Sequence, residues 1–168
     1  LDKEENFNFN ASLDDFNLGH LIMDTTLFGS VSLTLEAIGK GLDPDKIKTS
    51  ISGEVSSIYF NNYTYHKLAI DGSANGRQFE GKISLNDKNA ILDFSGLVDI
   101  TPNKEQIKFD LNVHGADLKK LHLTDENIQI GLSAKTDLTG YTENTLNGTD
   151  GITNLIVDNN GEKYELDS

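Results

Sequence analysis

The sequence predicts an all-β fold, in which repeated strands form one elongated, curved and mostly antiparallel sheet with an apolar groove. Apolar residues alternate with polar ones along most of the 168 residues, which is the pattern of strands with one buried face. The chain contains only two prolines, so little interrupts its strands. Its hydrophobic content of 36% is too low for a sheet covered on both faces. We expect a taco-shaped (U-shaped) sheet accompanied by one or two very short helices.

The N-terminal part of the chain predicts a strand, a short helix and a second strand. Apolar and polar residues alternate over residues 7–13. The two acidic residues that follow suit the N-cap of a short helix near residues 15–23. Alternation returns over residues 31–39, and residues 42–45 then form a turn in which proline fixes φ.

Turn residues divide the rest of the chain into further strands. Asn61-Asn62 breaks the alternation, and Asn75-Gly76 is a strong signal for a two-residue hairpin, because both turn positions favour positive φ. Residues 86–89 form another turn, residues 116–121 suit a single helical turn, and the alternation loosens beyond residue 140. The predicted strands cover residues 47–55, 63–70, 79–85, 92–100, 107–115 and 128–138.

Glycines recur at a fixed interval, each two residues after a large apolar residue. Gly53 and Gly96 are 43 residues apart, as are Gly72 and Gly115, and Gly96 and Gly140 are 44 residues apart. This spacing predicts repeat units at 54–96 and 97–140, followed by a C-terminal hairpin at 141–168. Without a Cβ, these residues would let the sheet bend along a line, although each alone also suits a strand end that feeds a turn. The predicted sheet-bend glycines are Gly53, Gly72, Gly96, Gly115 and Gly140.

A sheet with a single apolar face predicts a trough that holds acyl chains. Each methylene gains about 0.8 kcal/mol on burial, so a tail would bind there without specific contacts. The alternative is that the same side chains pack against each other in a closed core. The candidate lining residues are Ile70, Phe79, Ile83, Phe94, Val98, Phe109, Leu111, Val113, Ile130 and Leu132.

Composition argues against several other functions. A net charge of −13 disfavours nucleic acid, whose phosphates require clustered Lys and Arg. The chain contains no cysteine, its four histidines show no metal-ligand spacing, and it carries no nucleophile elbow, phosphate-binding loop or dinucleotide fingerprint. We therefore expect no enzymatic activity, no cofactor and no metal.

Several short stretches resemble the TamB branch of the AsmA-like envelope proteins, particularly the long forms of Bacteroidetes-type bacteria. Their order and spacing carry the resemblance, which covers nearly the whole chain. The matching stretches are residues 39–44, 72–83, 93–99, 115–121 and 160–168.

The resemblance implies a periplasmic protein that is anchored in the inner membrane, forms a β-taco and moves phospholipid to the outer membrane. We expect the chain to be an internal segment of such a protein, without its membrane helix. An outer-membrane barrel protein of the assembly family would bind through regions absent from this chain.

Two alternative functions stay open. One is a scaffold or chaperone that offers sheet edges to outer-membrane barrel strands, or that assists protein secretion. The other is a surface adhesin or glycan-binding protein, for which Tyr59, Tyr63 and Tyr65 would be the aromatic platform.

Overall fold

The computed structural model describes residues 6–41, 43, 45–140 and 147–166. Within them, ten strands follow the chain in order in one curved sheet that does not close on itself, and every neighbouring pair is antiparallel. This confirms the predicted fold class. The elements are β1 (Asn6–Asn17), α1 (Leu18–Ile22), β2 (Phe28–Lys40), β3 (Lys48–Phe60), β4 (Tyr63–Asn75), β5 (Gln78–Asn86), β6 (Ala90–Asp99), β7 (Gln106–Asp117), β8 (Ile128–Thr139), β9 (Asn147–Asn159) and β10 (Glu162–Leu166).

Two-residue turns connect several of the strands. Asn61 and Asn62 both adopt positive φ, of 49° and 63°, and join β3 to β4. The predicted hairpin between β4 and β5 is present, but its turn residues are Gly76 and Arg77, because Asn75 still pairs with Gln78. The hairpin turn thus lies one residue later than the Asn75-Gly76 pair predicts.

The short helix lies within the predicted range of 15–23 but begins only at Leu18. β1 continues through a bulge between Leu13 and Phe16 and ends at Asn17. The Asn17 side chain accepts a hydrogen bond of 2.9 Å from the His20 N–H, so Asn17 is the N-cap of α1 and the acidic pair is not. Residues 118–122 form a turn, at the place of the second predicted helical segment.

The glycine interval does not correspond to equivalent places in the sheet. Gly53 lies in β3 and Gly96 in β6, three strands further along, so the two strands run in opposite directions. The repeat units at 54–96 and 97–140 stay predictions. β9 and β10 form a hairpin within the predicted range 141–168.

Parts of the predicted elements lie outside the described residues. They are Leu42 and Pro44 of the first turn, residues 141–146 at the start of the C-terminal hairpin, and residues 167–168 at the end of the TamB-like tail.

The sheet has an apolar face and a polar face, since side chains alternate along each strand. Among the described residues no second sheet covers the apolar face, and no large side chain is less than 2% exposed. The buried hydrophobic residues are few for a sheet of ten strands. They are Val31, Val55, Tyr63, Ala74, Leu85, Ala90 and Leu121.

Candidate functional site: an apolar groove over a glycine floor

Cross-strand pairing arranges the apolar face into rows that run from strand to strand. Residues paired in an antiparallel sheet point to the same face, so each row is a line of neighbouring side chains. One row consists of Ile70, Ile83, Phe94 and Leu111, on β4 to β7. The register therefore places four of the predicted lining residues side by side.

The next row lacks side chains in its centre. Gly72, Gly81 and Gly96 lie opposite one another on β4, β5 and β6, between Ile51 on β3 and Phe109 on β7. A Cβ on Gly72 would lie 3.0 Å from the Glu80 carbonyl oxygen, so the two backbones approach closely here. The three glycines form a floor that is lower than the rows on either side.

The space above this floor is a concave volume of about 470 Å³. We call it the glycine-floored groove. Small-molecule sites have volumes of roughly 300–1,000 Å³, so the groove is large enough for a ligand. Phe94 leans over Gly96, and its ring centre lies 5.8 Å from that of Phe109. The apolar side chains around the floor are Ile47, Ile51, Ile70, Ala74, Phe79, Ile83, Phe94, Val98, Ile107 and Phe109.

No charged residue occupies the apolar-face positions of β3 to β7. The charged residues that flank the floor in sequence, such as Asp71 and Lys82, lie opposite each other on the polar face. Further along that face, Lys108 Nζ lies 3.3 Å from the Asp137 carboxylate. A hydrogen bond from Gln106 and the neighbouring Lys108 lower the pKa of Asp137. The charges of the sheet are thus kept on one side and the groove on the other.

The ten predicted lining residues divide into two groups. Six of them surround the glycine-floored groove, and the other four lie on the same face but outside it. Leu111 belongs to the row beside the floor, Val113 pairs with Leu132 one row further, and Ile130 pairs with Ala116 beyond them. The six that surround the groove are Ile70, Phe79, Ile83, Phe94, Val98 and Phe109.

The predicted glycines do not form one line. Gly53 pairs with Ile70 and so lies one row away from the floor. Gly115 lies at a bulge in β7 with no other atom within 4 Å of a Cβ placed on it. Gly140 follows β8 with a φ of 74°, and its N–H donates to the Glu105 carbonyl. Only Gly72 and Gly96 join the floor.

Sequence reasoning missed Gly81, the central residue of the floor. The signal is present in the chain, because Gly81 lies in phase with Phe79 and Ile83 on the apolar side of its strand.

One end of the apolar face is covered. Leu121, in the connection between β7 and β8, is only 2% exposed and packs against Tyr63, Leu85 and Ala90. The Leu121 N–H donates to the Asp117 carbonyl at 3.0 Å, which holds the turn. We call these four packed side chains, Tyr63, Leu85, Ala90 and Leu121, the covered end.

A buried carboxylate anchors the covered end. Asp87 is 3% exposed and accepts hydrogen bonds from the Tyr63 hydroxyl at 2.6 Å, the Asn89 N–H at 2.9 Å and the His66 N–H at 3.1 Å. Burial, followed by the hydrogen bond to Asp87, raises the pKa of Tyr63 to about 12. These bonds compensate for the loss of solvent around the carboxylate.

Other predicted sites do not assemble. Tyr59 lies on the polar face and Tyr65 on the apolar face, while Tyr63 is buried, so the three rings share no exposed platform. His114 and Asp93 form a pair 2.8 Å apart on the polar face. Across the residues that the structure describes, no three His, Asp or Glu side chains are grouped to hold a metal ion. In the same residues, no helix has the length and hydrophobicity to cross a bilayer.

Comparison with known proteins gives no relative for this chain. No family model, curated protein or solved structure matches it. The resemblance to the TamB branch therefore stays a prediction that depends on short motifs.

Proposed function

We propose that this chain is a non-enzymatic segment of an inner-membrane-anchored periplasmic protein of the TamB/AsmA-like type. Its glycine-floored groove carries phospholipid acyl chains between the inner and outer membranes. The observation that carries the proposal is a concave volume of about 470 Å³, ringed by aliphatic and aromatic side chains.

The exposure of the ring supports an apolar ligand. Phe79 is 46% exposed and Val98 is 38% exposed, although both point to the apolar face. Contiguous apolar surface of this kind marks interaction sites in proteins, because water contact with it costs free energy. An acyl chain laid over the floor offsets that cost by about 0.8 kcal/mol for each methylene that it buries.

Crosslinking from neighbouring positions on opposite faces tests the proposal. A photoreactive phenylalanine analogue at Val98 reports on the groove, and the same analogue at Leu97 reports on the polar face of the same strand. The purified chain is irradiated with vesicles of phosphatidylethanolamine and phosphatidylglycerol. We expect a phospholipid adduct in the mass spectrum from Val98 and none from Leu97. Equal adducts at both positions, or no adduct at either, would overturn the proposal.

A charge placed in the groove provides a second test. Ile83→Arg introduces a guanidinium beside the floor, whereas Ser84→Arg introduces it on the opposite face of β5. Since a charge in an apolar site without a partner is strongly unfavourable, we expect the Val98 adduct to fall at least about tenfold for Ile83→Arg only. Circular dichroism checks that both variants keep the sheet. An unchanged adduct in folded Ile83→Arg would contradict lipid binding in the groove.

The open sheet edges support a scaffold as a second candidate function. β1 and β10 each have one described partner, and a free strand edge can pair with another strand. In that case a photoreactive analogue at Phe9, on β1, would capture a barrel polypeptide in the periplasm of a Gram-negative host. A phospholipid adduct from purified vesicles without polypeptide capture would favour the lipid function.

A further inference from the structure

Two aliphatic side chains interrupt the polar face of the sheet, on the side opposite the covered end. Ile91 shares this face with Asp93, and Ile156 shares it with Asp158, because side chains alternate along each strand. Ile91 is 47% exposed and Ile156 is 38% exposed. Both isoleucines therefore present aliphatic surface to solvent, on a face that otherwise carries mainly polar side chains.

Two glycines lie between these isoleucines. Gly115 pairs with Ile91, and Gly131 pairs with Ile156. A Cβ placed on Gly115 would have no other atom within 4 Å, so the space above it is open. Neighbouring strands lie about 4.8 Å apart, so the backbones of Ile91 on β6 and Ile156 on β9 are about 14 Å apart. The result is a concave volume of about 460 Å³ on the polar face.

The rim of this volume is basic, although the chain as a whole is acidic. The chain has 27 acidic residues and 14 basic ones, whereas three lysines and two aspartates line the volume. A depression over β1 to β4 on the same face shows the opposite balance, because Glu36 and Glu54 line it without any lysine or arginine. We call the basic volume the lysine-rimmed depression, and its charged residues are Lys88, Lys120, Lys163, Asp117 and Asp158.

One of the three lysines is available to a ligand. Lys120 Nζ lies 2.8 Å from the Asp117 carboxylate, and Lys163 Nζ lies 2.5 Å from the Glu165 carboxylate. Lys88 forms no ion pair with any residue that the structure describes. An anion in the depression would therefore meet a positive charge that no described carboxylate balances.

Hydrogen bonds hold the backbone around Lys88. The Asp87 N–H donates to the Ala90 carbonyl at 2.9 Å, which closes the turn that contains Lys88. The Asp117 N–H donates to the Asn89 carbonyl, also at 2.9 Å, and so fixes this turn against β7. The lysine thus extends from a rigid frame at one side of the depression.

We propose that the lysine-rimmed depression binds a small organic carboxylate with an aliphatic body. Lys88 donates charge-assisted hydrogen bonds to the carboxylate, and Ile91 and Ile156 contact the aliphatic body. The side chains of the two isoleucines narrow the distance of about 14 Å between their backbones, which leaves room for a body of about six carbons. The depression lies on the opposite face of the sheet from the glycine-floored groove, so this binding does not depend on lipid in the groove.

The amide signals of glycines in a nuclear magnetic resonance titration distinguish the two faces. The isotopically labelled chain is titrated with hexanoate, with hexanamide, which has the same length without the charge, and with inorganic phosphate, which has charge without the aliphatic body. We expect hexanoate to shift the Gly115 and Gly131 signals saturably and to leave those of Gly72 and Gly81 in place. Hexanamide and phosphate should each bind more weakly.

Three outcomes of this titration would overturn the proposal. Shifts confined to Gly72 and Gly81 would place hexanoate in the groove. Equal affinity for hexanamide or phosphate would show that the charge or the aliphatic walls have no part in binding. A third is the absence of any saturable shift at Gly115 and Gly131. None of these outcomes changes the phospholipid adduct expected at Val98.

Two variants test the residues of the depression. Lys88→Gln removes the unbalanced charge and should weaken hexanoate binding about twofold to fivefold, as for an exposed ion pair. Lys119→Gln, at an exposed lysine that does not line the depression, should leave the affinity unchanged. Gly131→Val fills the depression and should abolish binding, and its Cβ would lie 3.4 Å from the nearest atom, the Val113 carbonyl oxygen, so the sheet can accommodate it.

The dispersion of the amide spectrum checks that each variant is folded. Equal affinities of Lys88→Gln and Lys119→Gln, or full binding by folded Gly131→Val, would contradict a carboxylate site in the depression.

Discussion

The covered end and the glycine-floored groove lie on the same apolar face and have the same alternating sequence pattern, but only one of them is filled by the protein. At the covered end, Leu121 folds over Tyr63, Leu85 and Ala90 and excludes solvent from them. Over the groove, no described segment crosses the face. The comparison teaches that alternation specifies which side of a strand is apolar, whereas a connection between strands decides whether that side is core or binding surface.

The two regions also differ in how polar groups are used. Among the described residues, the groove contains no hydrogen-bonded side-chain network, whereas the covered end is held by the three bonds of Asp87 and by the buried Asp117, whose carbonyl accepts from the Leu121 N–H. Hydrogen bonds from the Lys120 side chain and N–H lower the pKa of Asp117. Satisfied buried networks make one packing arrangement unique. The covered end is therefore the rigid support, and we expect its loss to affect stability more than any change around the groove.

Leu121→Ala and Phe79→Ala should show the largest difference in stability between the covered end and the groove. Leu121 is almost fully buried, so its truncation leaves a cavity and should lower the free energy of unfolding by about 3 kcal/mol. Phe79 is half exposed, and its truncation should cost about 1 kcal/mol or less. Urea unfolding followed by circular dichroism measures both. Equal losses would mean that the groove is packed as tightly as the covered end.

The stability of the protein should depend on pH through the ionisation of Tyr63 at the covered end. Its pKa is raised from 10.0 to about 12, chiefly by burial. Between these values the unfolded chain releases the phenol proton while the folded chain retains it, so stability falls as pH rises. The contribution is fully present below pH 10 and should be lost by about pH 12, a decrease of about 2–3 kcal/mol.

The matched variant Tyr63→Phe isolates this contribution. Burial also raises the pKa of Tyr65, but that residue is present in both proteins, so its effect cancels in the difference. Urea unfolding of wild type and Tyr63→Phe through the alkaline range should give curves that converge as pH rises. Parallel curves would show that Tyr63 is not buried as described.

The sequence was sufficient to predict which face of the sheet each side chain occupies, because side chains alternate with a period of two whatever strand pairs with them. Ile70, Ile83 and Phe94 were placed on the apolar side by alternation alone, and the register brings them into one row. The sequence also marked the turn at Asn61-Asn62, where both residues adopt positive φ. These features are local, and local patterns predict them.

The glycine floor was not predictable in the same way, because it depends on register. A two-residue turn at Asn75-Gly76 would set Gly72 opposite Phe79. The actual turn, one residue later, sets Gly72 opposite Gly81 and creates the floor. A shift of one residue in a turn moves every cross-strand pair by two residues.

The position of Leu121 over the apolar face also could not be predicted from the sequence. A single helical turn near residues 116–121 could be recognised from local spacing, but the direction in which it folds depends on long-range contacts with Tyr63 and Leu85.

The smallest expected effect compares Gly81, a floor glycine that the sequence analysis missed, with Gly115, a predicted glycine that lies outside the floor. A Cβ on Gly81 would lie 3.1 Å from the Asp71 carbonyl oxygen, whereas a Cβ on Gly115 would have no other atom within 4 Å. Gly115→Ala should therefore stabilise the chain by about 0.5 kcal/mol, since alanine restricts the unfolded chain. Gly81→Ala should give no such gain, because crowding of the neighbouring strand offsets it.

Lipid crosslinking completes this comparison of the glycines. Gly81→Ala raises the floor of the groove and should reduce the phospholipid adduct at Val98, while Gly115→Ala should leave that adduct unchanged. Urea unfolding and the adduct yield are measured on the same preparations. If Gly81→Ala gained stability as Gly115→Ala does and kept the full adduct, the close approach of β4 and β5 would have no part in shaping the groove.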